Sequence, residues 1–446
     1  MNYRILPPDE MIDATIELPL SKSVTNRQLI INALTPGAGR LPDEMTARCD
    51  DTDAVVAALS RLPELKSGER VDVGAAGTAF RFLTAFFAVR EGVDVTIDGT
   101  ERLRHRPIKP LVDALRQLGA EIEYGAEEGF APLRIKGRRL KGGALQIDGS
   151  VSSQFISALM MIGPTMESGL RLELTGEVVS RSYITLTAKL MERAGAAVEI
   201  DRDEITIGGK PYSEAMPYAE RDWSAASYWY ELTAISAGFV TLPGLDPESG
   251  QGDRAVSDFF TRLGVTTEEA EDVENALQLA ASPDQHSRFE QDLSDNPDLA
   301  PALAVTAAML GIHFHLRGLS TLRHKETDRL EALRKELDKL GFIIELRGDS
   351  EMVWNGERHP VFAMPEVDTY EDHRMAMAFA PAAVLVPGMV INDIEVVTKS
   401  YPEYWDDLRS AGFVLTDASV ELPEAEGAGE DFSGLNQNDS SQANVI

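Results

Sequence analysis

The chain has 446 residues, a formal net charge of −31 and 43% hydrophobic residues. Single hydrophobic cores stop growing at about 250–300 residues, so a chain of this length is expected to form at least two lobes. The negative charge repels phosphate at long range, which argues against nucleic acid or an anionic membrane as a partner. The longest apolar run, residues 299–312, contains Pro301 and is too short to span a bilayer, and no apolar signal segment follows Met1. We therefore expect a soluble protein.

Cysteine and lysine are both scarce. Cys49 is the single cysteine, which excludes an internal disulfide and fits a reducing cytoplasm. The basic residues comprise 11 lysines and 31 arginines. A carboxylate-rich surface stays hydrated in concentrated salt, so we interpret the acid excess and the shortage of lysine as adaptation to a saline cytoplasm.

The first predicted element along the chain is a helix that begins near residue 22. In PLSKSVTNRQLI, residues 19–30, Ser21 or Ser23 can cap a helix whose buried face is QLIINAL. A helix N-terminus presents free N–H groups, and Lys22 and Arg27 add two full positive charges there. The stretch therefore predicts an anion site. The alternative is an ordinary capped helix with a solvated lysine and arginine.

Three further segments of the first half have the same character. They are GAAGTAFRFL (74–83), DGSVSSQFISALMM (148–161) and VSRSYI (179–184). The first has small residues that let a ligand approach the backbone, and the others place polar residues at helix starts, namely Ser152, Ser153, Gln154, Ser180, Arg181 and Tyr183. Each segment alone is typical of a capped helix or a turn. Four such segments in one chain favour a ligand that carries phosphate or carboxylate.

An amphipathic helix that ends in glycine and leads into a β-type run recurs along the chain. The glycines are Gly119, Gly195, Gly264, Gly341 and Gly412, spaced by about 70 residues. A degenerate copy fits residues 50–66, where Pro63 stands in place of the glycine. We interpret the pattern as six α/β units in two lobes of three. The alternative is coincidence, because helices of α/β proteins often end in Leu-Gly.

The second half contains HKETDRLEALRKEL, residues 324–337. Lys325 and Arg329 are four residues apart and are expected to share a helix face, where like charges are destabilising by a few tenths of a kcal/mol. Glu326 offsets them either as a solvated ion pair with Arg329 or as a proton-transfer group beside an anionic substrate that both cations bind.

Asp298, Asp372 and Lys399 each lie next to a predicted helix. Asp298 and Asp372 precede apolar helices, so capping is the simplest interpretation for both, with His373 and Arg374 solvated. Lys399 lies in the loop before the last helix. Residues 423–446 are acidic and rich in Gly, Ser and Asn, and we expect a disordered tail.

Motifs for metal binding and for a catalytic nucleophile are missing from the sequence. The seven histidines show no HExxH spacing, and His313 and His315 alternate as in a strand. There is no G-x-S-x-G motif and no cysteine in a glycine-rich loop. We therefore expect chemistry that relies on positioned charges and acid–base groups.

Eight strings of the sequence, in this order, resemble the 5-enolpyruvylshikimate-3-phosphate synthase family. They are SKSVTNR, GTAFR, RPIKPLVDAL, DGSVSSQF, VSRSY, KETDRL, DHRMAM and TKSYPEYW, and the resemblance covers about residues 10–415. It implies an α/β fold, a two-lobed inside-out α/β barrel with three βαβαββ repeats in each lobe. Residues 1–20 and 222–422 would form the first lobe, and residues 21–221 the second.

The resemblance also implies a reaction of the shikimate pathway, which serves aromatic amino acid biosynthesis. The enolpyruvyl group of phosphoenolpyruvate would move to the 5-hydroxyl of shikimate 3-phosphate through a tetrahedral intermediate, with release of phosphate. No metal or other cofactor is implied. We expect a monomeric, cytoplasmic enzyme whose partners are these two small substrates and which is a target of glyphosate.

Individual site residues follow from the same resemblance. The phosphoenolpyruvate contacts would be Lys22, Gly77, Arg106, Gln154, Arg329, Arg374 and Lys399. The shikimate 3-phosphate contacts would be Ser23, Arg27, Ser152, Ser153, Gln154, Ser180, Tyr183, Asp298 and Lys325. Asp298 resembles the base, and Glu326 and Lys22 the proton carriers. Ala75 and Thr321 stand where the family pattern has asparagine, so substrate affinity and glyphosate sensitivity are expected to differ.

Two other functions are compatible with an anion-binding α/β protein of this kind. The UDP-N-acetylglucosamine enolpyruvyl transferases share the architecture but carry a cysteine in a mobile glycine-rich loop, where Cys49 is badly placed. A non-catalytic anion-binding protein gains little from carboxylates in a cationic site, so Asp298 and Glu326 argue against it. Because the site residues come from both lobes, shikimate 3-phosphate is expected to close the cleft.

Overall fold

The computed structural model describes residues 1–37, 49–150, 152–217 and 220–420, and the predicted tail lies outside them. The strands are β1 (Tyr3–Leu6), β2 (Asp13–Thr15), β3 (Glu69–Asp72), β4 (Asp94–Asp98), β5 (Glu121–Tyr124), β6 (Leu133–Lys136), β7 (Gly143–Asp148), β8 (Leu170–Thr175), β9 (Val198–Asp201), β10 (Glu204–Ile207), β11 (Phe239–Pro243), β12 (Val265–Glu269), β13 (Ala276–Ala281), β14 (Arg288–Asp292), β15 (His313–Arg317), β16 (Glu345–Arg347), β17 (Glu351–Trp354), β18 (Glu366–Val367), β19 (Val390–Ile391) and β20 (Val414–Asp417).

The α-helices are α1 (Lys22–Leu34), α2 (Asp50–Ser60), α3 (Gly77–Ala88), α4 (Glu101–Arg104), α5 (Lys109–Gln117), α6 (Ser153–Ile162), α7 (Arg181–Arg193), α8 (Trp223–Ser236), α9 (Val256–Thr261), α10 (Ala300–Met309), α11 (Arg329–Lys339), α12 (His373–Phe379) and α13 (Tyr404–Ser410). Short 3₁₀ helices span Leu62–Glu64, Gly163–Thr165, Gly252–Ala255, Pro297–Leu299, Ser320–His324, Ala380–Val384 and Ile394–Lys399. Within the described ranges, no helix is long and apolar enough to cross a membrane.

Five four-stranded sheets share one topology. Their strand orders are β2-β11-β13-β12, β3-β4-β6-β5, β7-β8-β10-β9, β14-β15-β17-β16 and β18-β19-β1-β20. In each sheet the first pair is parallel and the other pairs are antiparallel. In four of these sheets one α-helix leads from the first parallel strand to the second, whereas in the sheet of β2 and β11 the second lobe is inserted after β2 and α8 then leads into β11. Further helical residues lead from the second parallel strand to the outer strand, which makes each unit βαβαββ. In the last sheet, the N-terminal strand β1 completes a unit that the C-terminal strands begin.

These units confirm the predicted repeat in five of its six copies. The glycines Gly119, Gly195, Gly264, Gly341 and Gly412 all have φ between 86° and 99°. Each follows one of the helices α5, α7, α9, α11 and α13 and precedes a strand, because glycine adopts the left-handed conformation without a steric penalty. The predicted sixth copy, residues 50–66, contains α2 and the 3₁₀ turn Leu62–Glu64 that includes Pro63, but no strand within its bounds.

Buried hydrophobic side chains form two separate clusters. One draws on residues 5–18 and 223–413, which we call the first lobe, and the other on residues 24–216, the second lobe. In the first lobe the buried helices α8, α10 and α12 contact one another, and in the second α1, α3 and α6 do so. Strands such as β8 alternate buried and exposed residues. The helices thus lie inside and the sheets outside, as the inside-out fold class requires.

Two antiparallel segments connect the lobes. Leu20 and Arg221 form an isolated β-bridge, the Ser21 N–H donates to the Glu220 carbonyl at 2.8 Å, and the Asp222 N–H donates to the Pro19 carbonyl at 3.0 Å. The start of α1 is therefore fixed at the boundary between the lobes, next to the cleft.

Candidate active site

A cavity of about 570 Å³ lies between the lobes. Fourteen of the sixteen predicted site residues line it, namely Lys22, Ser23, Arg27, Arg106, Ser152, Ser153, Gln154, Ser180, Tyr183, Asp298, Lys325, Glu326, Arg329 and Arg374. The other two, Gly77 and Lys399, lie directly behind the lining residues, against Arg106 and Glu326 respectively.

Lys22 is the first residue of α1, and its side chain faces the carboxylate of Asp51 in the same lobe. Ser21 caps the helix by accepting a hydrogen bond from the Val24 N–H at 3.4 Å. The Lys22 Nζ lies 3.3 Å from the Asp51 Oδ2, and the two side chains are 15% and 3% exposed. Burial lowers the pKa of Lys22, but Asp51, with smaller effects of Cys49 and Glu326, outweighs it, so the pKa is raised. Lys22 is therefore a protonated, buried ammonium at neutral pH.

Arg27 is a buried cation whose hydrogen-bond acceptors are all neutral. Its Nε donates to the Thr187 Oγ1 at 2.7 Å, and its two Nη atoms donate to the Ser23 carbonyl at 2.7 Å and the Ser157 Oγ at 3.1 Å. Its guanidinium carbon lies 5.7 Å from the centroid of the Tyr183 ring. Burial lowers the pKa of Arg27 to about 10, so the side chain remains charged at neutral pH.

Gly77 allows two further guanidinium groups to approach each other. A Cβ at this position would lie 2.3 Å from the Arg106 Nη1 and 2.8 Å from the Arg81 Nη1. The Arg81 Nη1 donates to the Gly77 carbonyl at 3.1 Å and to the Gln154 Oε1 at 3.0 Å. Burial and the neighbouring Arg106 lower the pKa of Arg81 to about 9. Any side chain at position 77 would therefore displace the cations.

The serines of the second lobe lie at helix starts. Ser152 caps α6 by accepting from the Gln154 N–H at 3.3 Å, and Ser153 is the first residue of that helix. Ser180 precedes α7 in the left-handed conformation, with φ 55°. Its N–H donates to the Ser294 carbonyl of the first lobe at 2.9 Å.

The Asp298 carboxylate contacts three cationic side chains of the first lobe and does not cap a helix. It lies in the 3₁₀ turn Pro297–Leu299, and Leu299 takes the N-cap position of α10 without a side-chain hydrogen bond, so the capping interpretation was wrong. The Asp298 Oδ1 lies 2.8 Å from the Arg329 Nη1 and 3.3 Å from the Lys325 Nζ, and its Oδ2 lies 3.3 Å from the Arg374 Nη2.

The second lobe also reaches Asp298. The Tyr183 hydroxyl donates to the Asp298 Oδ2 at 3.3 Å. Burial alone would raise the pKa of Asp298, but Arg374, Lys325 and Arg329 hold it well below its usual range. Asp298 is therefore an ionised carboxylate able to accept a proton.

Lys325 and Arg329 do not share a helix face, contrary to the prediction. The helix begins only at Arg329, because Asp328 takes the N-cap position and accepts from the Glu331 N–H at 3.2 Å. Lys325 lies before the cap, and the two cations meet at the Asp298 Oδ1 instead. Asp298 thus supplies the negative charge that offsets them.

Glu326 lies among cations of both lobes. Its Oε2 accepts from the Arg329 Nη2 at 2.8 Å, and its Oε1 lies 2.7 Å from the Lys399 Nζ and 3.9 Å from the Arg106 Nη1. The side chain is only 10% exposed, so the solvated ion pair is ruled out as its environment. Burial raises the pKa of Glu326, but Lys399, Arg329 and Arg106 outweigh it and hold the pKa well below its usual range.

The start of α12 presents Arg374 and a neutral histidine to the cavity. Asp372 caps the helix, as predicted, by accepting from the Arg374 N–H at 3.0 Å, and its Oδ2 accepts from the Arg329 Nε at 2.7 Å. His373 and Arg374 are buried, so the alternative interpretation, in which both are solvated, was wrong. Neither ring nitrogen of His373 has a hydrogen-bond partner. Burial and the nearby Lys22 lower the pKa of His373 well below its usual value.

Sequence reasoning missed Asp51 and Arg81, which also line the cavity. Arg81 is the arginine of GTAFR, so its signal was present, four residues after Gly77 on the same helix. Asp51 gave no such signal, because acidic residues at a helix start are common. Thr321 lines the cavity and its buried Oγ1 has no partner, whereas Ala75 is exposed and does not line it.

The cavity is strongly cationic although the chain is acidic. Seven cationic side chains line it, Lys22, Arg27, Arg81, Arg106, Lys325, Arg329 and Arg374, against the three carboxylates of Asp51, Asp298 and Glu326. Preorganised positive charge in a buried site stabilises anions more than the same charge in water does. The arrangement can therefore bind anionic ligands while the two central carboxylates exchange protons with them.

Comparisons with known proteins give a consistent result. The family model described as EPSP synthase (3-phosphoshikimate 1-carboxyvinyltransferase) matches residues 7–408. A 3-phosphoshikimate 1-carboxyvinyltransferase of Bacteroides fragilis is 49% identical over 416 residues, which cover 93% of this chain and 98% of that protein. One from Vibrio cholerae is 35% identical over 428 residues, which cover 91% of this chain and 98% of that protein.

A solved structure of EPSP synthase from Acinetobacter baumannii has the same fold. Its TM-score to this chain is 0.72 at 21% sequence identity, and the alignment covers 93% of this chain and all of the other. The repeated βαβαββ unit and the two hydrophobic cores described above are therefore features of the EPSP synthase fold.

Proposed function

Because this chain belongs to the EPSP synthase family, we infer that it transfers the enolpyruvyl group of phosphoenolpyruvate to the 5-hydroxyl of shikimate 3-phosphate and releases phosphate. The reaction is a step of the shikimate pathway, which supplies aromatic amino acids. The observation that supports this function in the structure is the cationic cavity between the lobes, with Asp298 and Glu326 among its cations.

Phosphoenolpyruvate is assigned to the side of the cavity around Glu326. Its phosphate and carboxylate are matched by the cations Lys22, Arg106, Arg329, Arg374 and Lys399, with Gln154 as a neutral donor and Gly77 leaving room for Arg106. Arginine suits this task because its planar fork binds a carboxylate or phosphate through two parallel hydrogen bonds. Glyphosate, another small anion, is assigned to the same position.

Shikimate 3-phosphate is assigned to the neighbouring side, which the second lobe dominates. The phosphate is matched by the N-terminus of α6 with Ser152 and Ser153, by Ser180, and by Lys325. Ser23, Arg27, Gln154 and Tyr183 are the remaining contacts. Thr321 offers a single hydroxyl where the family pattern has an asparagine, so this substrate loses one side-chain donor.

Asp298 acts on the attacking hydroxyl in this proposal. It is ionised because Arg374, Lys325 and Arg329 surround it, so it can accept the proton of the 5-hydroxyl as the carbon–oxygen bond forms. A proton is added at the methylene carbon of phosphoenolpyruvate, which makes the central carbon electrophilic. The product is a tetrahedral intermediate that still carries the phosphate group.

Glu326 and Lys22 supply and remove the proton on the enol side. Without substrates, Lys399, Arg329 and Arg106 keep the pKa of Glu326 low. The anionic groups of phosphoenolpyruvate offset these cations, which raises the pKa of Glu326 and allows it to carry a proton. In the elimination step the methyl group returns this proton, the carbon–phosphate oxygen bond breaks and the double bond reforms.

The oligomeric state and the compartment are part of the same proposal. We propose that the chain works as a monomer, because its own two lobes supply the cations and both central carboxylates of the cavity. The single cysteine, Cys49, is unpaired, which fits a cytoplasmic enzyme.

The test is phosphate release from phosphoenolpyruvate in three mixtures: with shikimate 3-phosphate, with UDP-N-acetylglucosamine and with neither. We expect release only in the first mixture. Lys22→Met and Glu326→Gln should lower kcat by about 10²–10⁴-fold, the range of a lost acid–base group. Lys66→Met, a matched change at an exposed lysine, should leave kcat unchanged. Release with the nucleotide sugar, or no release in any mixture, would contradict the proposal.

A further inference from the structure

Arg102 connects the two lobes at a position that the mechanism above does not use. It lies on the short helix α4 of the second lobe, and its side chain is 33% exposed. Its Nη1 donates to the Glu371 carboxylate and, at 3.4 Å, to the Glu371 carbonyl. Its Nη2 donates to the Glu326 carbonyl and, at 3.3 Å, to the Tyr370 carbonyl. One guanidinium thus joins two segments of the first lobe.

The first of these segments contains Glu326. Arg102 contacts the main chain of this residue, while Arg106, which lies four residues later and beyond the end of α4, faces its carboxylate at 3.9 Å. Lys399 and Arg329 hold the carboxylate from the other side. The second lobe therefore fixes both the backbone and the side chain of the proton carrier.

The second segment has an unusual backbone. Tyr370 and Glu371 are consecutive left-handed residues, with φ 53° and 56°. Such conformations are unfavourable for residues other than glycine and persist only where surrounding contacts enforce them. Arg102 binds the carbonyls of both residues. The turn leads directly into Asp372, which caps α12 and holds Arg329.

We propose that Arg102 is a positioning residue: as the lobes close, it holds the Glu326 backbone and the Tyr370–Glu371 turn so that Glu326 and Arg374 point into the cavity. This inference rests on the proposed function. The ion pair with Glu371 is a minor part of it, because Glu371 is 73% exposed and exposed pairs contribute little. The carbonyl contacts require the forked donor geometry of arginine, which lysine lacks.

The experiment compares Arg102→Gln, Arg102→Lys and Glu371→Gln with the control Arg171→Gln. Arg171 is an exposed arginine of the second lobe that pairs with Glu204 of the same lobe. Closure is titrated with shikimate 3-phosphate, followed by energy transfer between dyes on the two lobes. The kcat, the KM values and the unfolding temperature without ligand are measured in parallel.

Both Arg102 variants are expected to unfold at the wild-type temperature, because Arg102 is partly exposed and outside both cores. The concentration of shikimate 3-phosphate at which the lobes close should rise by at least about tenfold, a factor within the usual range of coupling between sites. Their kcat should fall by a similar factor. Arg171→Gln should match the wild type. Glu371→Gln should change either quantity by less than about fivefold, since exposed pairs contribute under 1 kcal/mol.

Two results would overturn the inference. One is closure and kcat at wild-type values in Arg102→Gln or in Arg102→Lys. The other is a loss in Glu371→Gln as large as that in Arg102→Lys, which would assign the effect to the ion pair. Closure requires only the binding of shikimate 3-phosphate, so it reports on Arg102 without turnover. A wild-type protein that closes but releases no phosphate would instead contradict the proposed function.

Discussion

The chemistry of single residues in this site depends on partners that lie far apart in the sequence. Lys22 is charged because of Asp51, and Asp298 is ionised because of Arg374, Lys325 and Arg329. The motifs predicted which residues gather at the cleft, since fourteen of the sixteen line the cavity. They did not predict Asp51, because nothing in the local sequence indicates which carboxylate a buried lysine will face.

The pair of Lys22 and Asp51 leads to a prediction for the pH dependence of the reaction. Asp51 raises the pKa of Lys22 against the opposing effect of burial. In Asp51→Asn the largest contribution that opposes burial is lost and only the weaker effects of Cys49 and Glu326 remain, so the pKa of Lys22 falls and the ammonium is lost at a lower pH. The alkaline limb of the profile of kcat/KM should therefore move to lower pH by about one unit.

The measurement is kcat/KM for phosphoenolpyruvate at saturating shikimate 3-phosphate between pH 7 and 12, a range that includes the raised pKa of Lys22. Asp53→Asn is the control, since Asp53 lies on the same helix but does not line the cavity. An unchanged or an upward-shifted limb in Asp51→Asn would show that Lys22 does not depend on this carboxylate.

Among the elements, helix ends were predictable and helix starts less so. Glycine after an amphipathic stretch located five helix ends correctly, because the left-handed conformation strongly favours glycine. The start of α11 was predicted too early in the sequence. The cations of KETDRL have the four-residue spacing of one helix face, but the helix begins only at Arg329, after the N-cap residue Asp328. Charge spacing and capping compete at such a boundary, and the sequence alone did not decide between them.

Alanine substitutions at two of the repeat glycines separate two contributions to the free energy of unfolding, the strain of the left-handed backbone and steric contact of the new Cβ. At Gly119 (φ 99°) a Cβ would meet nothing within 4 Å, so Gly119→Ala should destabilise by about 1–2 kcal/mol from backbone conformation alone. At Gly341 (φ 89°) a Cβ would lie 2.8 Å from the His359 carbonyl oxygen, so Gly341→Ala should destabilise by more.

Urea unfolding of both variants tests this order. Gly208→Ala is the matched control, because its Cβ would meet the Ala197 Cβ at 3.4 Å and its φ lies outside the left-handed region. It should unfold within about 0.5 kcal/mol of the wild type. Equal losses in all three variants would mean that the left-handed conformation is not what the repeat requires.

At the scale of the whole molecule, the number and order of the repeats could be predicted and the contacts between lobes could not. The regular spacing of glycines depends on local backbone chemistry, which each unit repeats. The contacts across the cleft, such as that of Arg102 with Glu326, join residues 224 positions apart and leave no periodic trace. The lobe boundaries and the closure of the cleft stay predictions.

The charge of the whole chain predicts a dependence of stability on salt. A net charge of −31 repels itself in the folded state, and salt near 1 M shortens the screening length to about 3 Å. The unfolding temperature should therefore rise steadily from low salt to molar KCl. Sucrose at equal osmolality serves as the uncharged control. A temperature that stays constant or falls in KCl would contradict adaptation to a saline cytoplasm.

The central claim is that cations of both lobes hold two anionic substrates beside Asp298 and Glu326. A crystal structure with shikimate 3-phosphate and glyphosate bound tests it most directly. We expect both ligands in the cavity between the lobes, with glyphosate against Arg106 of the second lobe and Arg374 and Lys399 of the first, and the 5-hydroxyl within hydrogen-bond distance of Asp298. Ligands that contact only one lobe, or that lie outside the cavity, would contradict the claim.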